Sequence, residues 1–88
     1  MYAIVDIETT GGYAANNDIT EVAIVLHDGY RVVRRYETLV RPSRPIPYYI
    51  QVLTGITHDM VAAAPSFTEV APEIYELLQN RVFVAHNV

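Results

Sequence analysis

The segment Arg81-Val82-Phe83-Val84-Ala85-His86 constrains the fold of this chain most, because its apolar residues do not alternate. A strand with one wet face alternates apolar and polar residues; an unbroken apolar strand reads as one buried on both faces, as in parallel sheets. A helix pattern precedes it. Ser66-Phe67-Thr68-Glu69 fits a capping box, and Val70, Ile74, Leu77 and Leu78 share one helical face behind it. Pro72 is expected to bend or loosen the first turns of that helix, since its ring meets the carbonyl of Thr68, and Asn80 can close it. A strand that follows a helix returns to its sheet most simply by a right-handed crossover, parallel to an earlier strand. The expectation is an α/β chain with a buried parallel strand beside the first one, ending in mid-sheet.

The earlier strands form a meander. Tyr2 to Thr9 reads as a strand, followed by a break at Gly11-Gly12 and a polar loop through Asn16-Asn17-Asp18. Ile19 to Leu26 and Arg31 to Val40 are two more strands, joined by His27-Asp28-Gly29-Tyr30, whose Asp-Gly pair signals a tight antiparallel hairpin. Arg34 and Arg35 mark the third strand as a wet edge. Pro42, Pro45 and Pro47 then impose an extended connector. Pro47 suits the first position of a short helix to about Leu53 with Gly55 beyond its end, and His58 to Ala64 suits another turn or two.

With 88 residues, 51% of them hydrophobic and 18% charged, the chain is ordinary in composition but small for a self-sufficient core. It has no cysteine, so neither disulfides nor thiolate metal sites compensate. More chain, a partner or self-association is expected to supply the difference. No apolar run approaches the ~18 residues of a membrane span, and the start lacks the basic region followed by an apolar stretch of a leader, which Asp6 would in any case spoil, so a cytoplasmic, membrane-free protein is expected. The net charge is −4, with six Arg and no Lys, which argues against binding nucleic acid by phosphate neutralisation alone.

Asp6 and Glu8 carry the chemistry. Two residues apart on a strand, they share a face, with roots about 6.5 Å apart; at that spacing two carboxylates can converge on divalent ions about 3.5–4 Å apart. Ala3, Val5 and Ile7 face the other way, into the expected core. Residue chemistry alone leaves a second reading open, in which the two acids are merely the solvated face of a strand. Against it stands the expectation that this fairly central strand is covered, where two acids are costly without metal or hydrogen bonds.

Asp6-Ile7-Glu8-Thr9-Thr10-Gly11 resembles the first motif of the DEDD exonucleases, in particular the group containing the proofreading epsilon subunit of bacterial DNA polymerase III. The similarity continues in order through Glu21-Val22-Ala23-Ile24-Val25, then Ile46-Pro47 with Leu53-Thr54-Gly55-Ile56-Thr57, then Ala64 to Val70, and ends in Val84-Ala85-His86-Asn87-Val88. The resemblance implies a ribonuclease H-like mixed sheet and hydrolysis of terminal nucleotides from DNA 3′ ends, as in polymerase proofreading during replication. Two Mg²⁺ or Mn²⁺ ions held by four carboxylates would generate the attacking hydroxide and stabilise the leaving 3′-oxygen. Asp6 and Glu8 would be two of the ligands. Thr9 would touch the terminal nucleotide, Leu53 and Thr54 would pack on its base and sugar, and Asn87 would line the strand path. Glu21 would hydrogen-bond near the site. His27, His58 and His86 are read as turn, helix-end and strand-end residues.

The family pattern continues to an Asp three residues past Val88, and later to a His and a last Asp. Residues 1–88 thus read as the N-terminal half of one exonuclease domain, expected to be inactive alone. DNA, RNA and polymerase subunits are the implied partners, and the parent is a polymerase subunit, a stand-alone trimming enzyme, or a nuclease fused to another nuclease or helicase. Two rival readings are weighed. A phosphate-binding strand-turn of the kinase and actin-like ATPase type is disfavoured, since Glu8 would repel phosphate. A non-catalytic docking module would use an unpaired fourth strand and an uncovered apolar face to self-associate.

Overall fold

The structure, a computed structural model, describes residues 1–11 and 18–85. Its elements are β1 (Tyr2–Thr9), β2 (Ile19–His27), β3 (Val32–Leu39), α1 (Tyr48–Thr54), α2 (His58–Ala62), α3 (Phe67–Leu78) and β4 (Val82–Ala85). They form one sheet in the order β3-β2-β1-β4, with β1, β2 and β3 antiparallel and β4 parallel to β1. This is the mixed α/β arrangement expected of a ribonuclease H-like fold.

The hairpin between β2 and β3 closes as its Asp-Gly pair predicts. Asp28 Oδ1 accepts from the backbone N–H groups of Tyr30 and Arg31, at 2.8 and 2.9 Å, while Gly29 takes the left-handed φ of 102° that a side chain would disfavour. Along β2 every second residue is buried: Thr20, Val22, Ile24 and Leu26. These join Ala3, Val40 and Leu77 in the main core, with Val70, Ile74 and Leu78 of α3 packed against it. The predicted apolar face of α3 is therefore the face that covers the sheet. Its capping box is complete: Ser66 Oγ accepts from the Glu69 N–H, and the Glu69 carboxylate accepts from the Ser66 N–H. α3 runs on through Pro72 as one helix. The carbonyl of Thr68 that the ring deprives of a donor lies on an exposed stretch, where water can serve it.

At its far end the helix stops at Gln79, and Asn80 adopts a left-handed φ of 60°. Arg81 completes the end by donating from Nη1 to the carbonyls of Glu76 and Leu77. Residues 42–65 form an excursion from this frame, closed at its base. The Arg41 N–H donates to the Pro65 carbonyl at 2.8 Å, Arg41 Nη1 donates to the Ala64 carbonyl, and Arg41 bridges to Ser66. Inside it, α1 and α2 share a second small core of Ile46, Ile50, Ile56, Val61 and Ala64, which packs on Leu39 of β3. His58 Nε2 accepts from the Ile46 N–H at 2.8 Å and ties the start of α2 to the approach to α1.

Two burial expectations fail. β4 is parallel to β1 but exposed throughout, with Val82, Phe83 and Val84 at 57, 58 and 39%. It is an edge strand among the described residues, and α3 does not extend over it. Ile7, expected in the core, is also exposed, because the described part of β4 pairs no further along β1 than Val5.

Candidate active site

The cross-strand register places Asp6 and Glu8 on the sheet face opposite the α3 core. Glu8 stands across from Glu21, and Glu21 across from Leu39; Asp6 stands across from Ala23, and Ala23 across from Glu37. Asp6, Glu8, Glu21 and Glu37 thus occupy two neighbouring rows of one face, where directly opposed side chains have roots about 4.5–5.5 Å apart. Contrary to the expectation of cover, Asp6 is exposed and Glu8 half-buried. This face carries no helical layer at that point among the described residues.

A β-bulge sits beside the site. Glu8 pairs with Glu21 but Thr9 pairs with Ile19, which leaves Thr20 as the extra residue on β2. Bulges bend a strand and re-aim its side chains. Here the bulge ends regular pairing right after Glu8. Beyond it, Thr10 and Asp18 close the neck of the loop, through Thr10 N–H to the Asp18 carbonyl (2.9 Å) and Asp18 N–H to Thr10 Oγ1 (3.1 Å). Thr9 Oγ1 donates to the Gly11 carbonyl and so holds the turn.

The face is electrostatically crowded. Glu21 is pushed above the ordinary glutamate range first by burial, then by the charges of Glu37 and Glu8, by its hydrogen bond with Glu37, and by Asp6. A hydrogen bond between two carboxyls needs a proton on one of them. Glu21 was expected to bond near the site, and Glu37 is the partner that sequence reasoning missed. A straight count back from the His27–Val32 pair at the turn puts Tyr36 opposite Ala23; the register shift between Leu26 and His27 brings Glu37 there instead, and no sequence signal marks that shift.

Hard oxygen donors of this kind suit Mg²⁺ or Mn²⁺. The crowding of like charge on one face is what a divalent cation relieves, so the acids fit such an ion. They do not complete a site: among the described residues no three His, Asp or Glu side chains converge as a metal cage.

The remaining expected residues lie in different places. Leu53 is on α1 with its side chain in solvent, not in the core. Thr54 ends α1, donating from Oγ1 to the Ile50 carbonyl and accepting from the Ile56 N–H, while Gly55 follows with φ 78°. Asn87 and His86 lie outside the described residues. His27 accepts at Nδ1 from the Gly29 N–H and belongs to the hairpin, as expected.

Residues 3–88 match the exonuclease family model. The chain is 42% identical to the 3′–5′ exonuclease DinG of Staphylococcus haemolyticus (strain JCSC1435), over 99% of this chain and 10% of that protein. Among solved structures it is similar to exonuclease X in complex with 5′ overhanging duplex DNA, at 36% identity and a TM-score of 0.84, over 99% of this chain and 49% of that one. It also resembles a 3′-exonuclease that recognises a histone mRNA stem-loop, at 27% identity and a TM-score of 0.74, over 86% of this chain and 29% of that one. The chain therefore spans about a tenth of the curated relative it matches, and about half of exonuclease X. The first-motif acids on β1, the mixed sheet and the matches to family and structures agree, and the chain belongs to the DEDD-type 3′–5′ exonuclease family.

Proposed function

We propose that Asp6 and Glu8 are the first two metal ligands of a two-metal 3′–5′ exonuclease that removes terminal nucleotides from DNA. The observation that carries this is their placement on one open sheet face, beside the bulge that ends regular pairing of β1. Bound divalent ions supply Lewis-acid polarisation of the scissile phosphate and a nucleophile at neutral pH. Asp6 and Glu8 hold and orient the site. Thr9 fixes the turn against which the terminal nucleotide rests. Leu53 offers an uncovered apolar side chain to the terminal base, and Thr54 holds the helix end that presents it. For Asn87, outside the described residues, the family resemblance alone supports a role along the strand path.

DNA is favoured because exonuclease X, the solved relative at 36% identity, is described with DNA; RNA is the alternative, as the histone mRNA exonuclease is described with an RNA stem-loop. A proofreading role with polymerase subunits as partners rests on the first-motif resemblance, and a DinG-like parent on the 42% identity. Residues 1–88 alone are proposed to be inactive, because the family pattern assigns two more carboxylates and a histidine to positions outside them. The exposed β4 supports, as a second reading, association of this chain through that edge.

The test is release of 3′ nucleotides from 5′-labelled DNA and RNA strands, with Mg²⁺ or Mn²⁺, by the whole protein that contains this chain. Asp6→Asn and Glu8→Gln should each lower the rate by about a thousandfold or more, because members of a cooperating unit are not lost in proportion. Undiminished hydrolysis by both variants would remove the assignment. Asp6-dependent hydrolysis by residues 1–88 alone would overturn their proposed inactivity.

A further inference from the structure

α1 is amphipathic in the wrong sense for a surface helix. Its seven residues, Tyr-Tyr-Ile-Gln-Val-Leu-Thr, include no charge, and Ile50 is its one buried residue. Tyr48, Tyr49, Val52 and Leu53 are exposed at 81, 67, 67 and 78%. At about 100° per residue these four fill one continuous arc of about 140°, with Ile50 and Thr54 on the opposite side. A face this apolar is ordinarily turned inward.

The anchoring of α1 relates that arc to the carboxylates. Ile50 packs with Ile46 and Ile56 in the small core that rests on Leu39, and Leu39 stands in the cross-strand row Glu8–Glu21–Leu39. The helix is therefore footed at the end of the row that holds Glu8. Its C-terminal end is held by the Thr54 hydroxyl, bonded to both Ile50 and Ile56, so the arc is presented on a fixed support.

Resting on the exonuclease reading above, we propose that Tyr48 and Tyr49, with Val52 and Leu53 beside them, form a stacking platform for unpaired bases of the strand whose 3′ end reaches Asp6 and Glu8. The chemistry selects this occupant. With a net charge of −4, the six arginines being outnumbered by ten acids, phosphate neutralisation alone does not hold a strand on this chain. Tyrosine rings stack on any base without regard to sequence, and their hydroxyls remain in water. The arc is also continuous with Leu53, the residue placed against the terminal base.

The experiment uses the whole protein with Ca²⁺ in place of Mg²⁺ and an oligo-dT strand carrying 2-aminopurine near its 3′ end, whose emission falls on stacking. Tyr48→Ala and Tyr49→Ala should each weaken binding by about 5- to 150-fold and restore emission, while Tyr49→Phe keeps both. Abasic units opposite the platform should weaken binding to the unsubstituted protein, with no further loss in the alanine variants. Both rings are largely in solvent, so these changes leave the fold intact. Unchanged affinity in both alanine variants would overturn the platform, as would equal affinity for the abasic strand. Loss of self-association or of a protein partner with unchanged strand affinity would also overturn it, and would assign the arc to a polypeptide. If Asp6-dependent hydrolysis persists while the platform fails, the exonuclease reading stands without it; if the protein neither binds nor cleaves strands, both fall together.

Discussion

Glu21 is the residue at which the candidate site acts on the fold itself. Burial and three neighbouring carboxylates raise its pKa above the ordinary glutamate value, so the folded chain holds this proton more tightly than the unfolded chain does. The resulting cost to stability is absent at low pH, grows as pH rises past the unfolded value, and is complete above the raised folded value. Glu21→Gln should therefore stabilise the protein at neutral pH, by no more than about 1 kcal/mol because solvent still screens this half-buried group. The two proteins should converge below about pH 4. Urea denaturation at several pH values reads this directly, and a variant no more stable than its parent at pH 7 would mean the crowding is not felt. The same face predicts a metal response independent of turnover. Mg²⁺ or Mn²⁺ should raise the thermal midpoint of the protein and raise that of Asp6→Asn less, since an ion that binds only the folded state stabilises it by mass action. Equal shifts in both would place the ion elsewhere.

At the scale of elements, α3 is decided by its two ends. Ser66→Ala removes one half of the capping box and should cost about 1 kcal/mol in a thermal or urea melt. Asn80 carries a left-handed φ, so Asn80→Ala should cost about 1 kcal/mol while Asn80→Gly is close to neutral. Equal effects of the two would show that the backbone relaxes out of that conformation in solution. Both ends were legible in the sequence because they rest on contacts three or four residues apart. The Asp28-Gly29 hairpin was legible for the same reason, and so was the apolar face of α3. The site was legible only in part. Asp6 and Glu8 share a strand, and alternation alone puts them on one face. Glu37 lies two strands away, and its position depends on two register shifts that no local pattern announces. The bulge at Thr20 was hidden likewise, since an extra residue in a strand leaves no mark on composition. β4 was misread for a different reason: an unbroken apolar run records what a strand favours around it, not whether that cover is present.

At the scale of the molecule, the consequence is excess surface. The chain exposes 6121 Å², against roughly 5,200 Å² expected of a compact monomer of its size. Its Cα radius of gyration is 13.6 Å, against about 12 Å by the same kind of scaling. The asymmetry of the layers accounts for this: α3 covers one sheet face, while Tyr2, Val82 and Val84 stand exposed on the other and Phe83 is uncovered at the edge. An edge strand with this much apolar surface is a template for pairing with another chain unless something covers it. Residues 1–88 are therefore expected to self-associate when isolated. The weight-average mass by light scattering should rise above the monomer value as concentration increases. Val84→Lys places a charge on the exposed edge strand and should return the mass towards the monomer, whereas Tyr49→Ala, on α1, should not. A monomer mass across the whole concentration series would mean that the exposed strand is not adhesive. A response to Tyr49→Ala alone would move the adhesive surface from β4 to the arc on α1, and with it the assignment of what that arc binds.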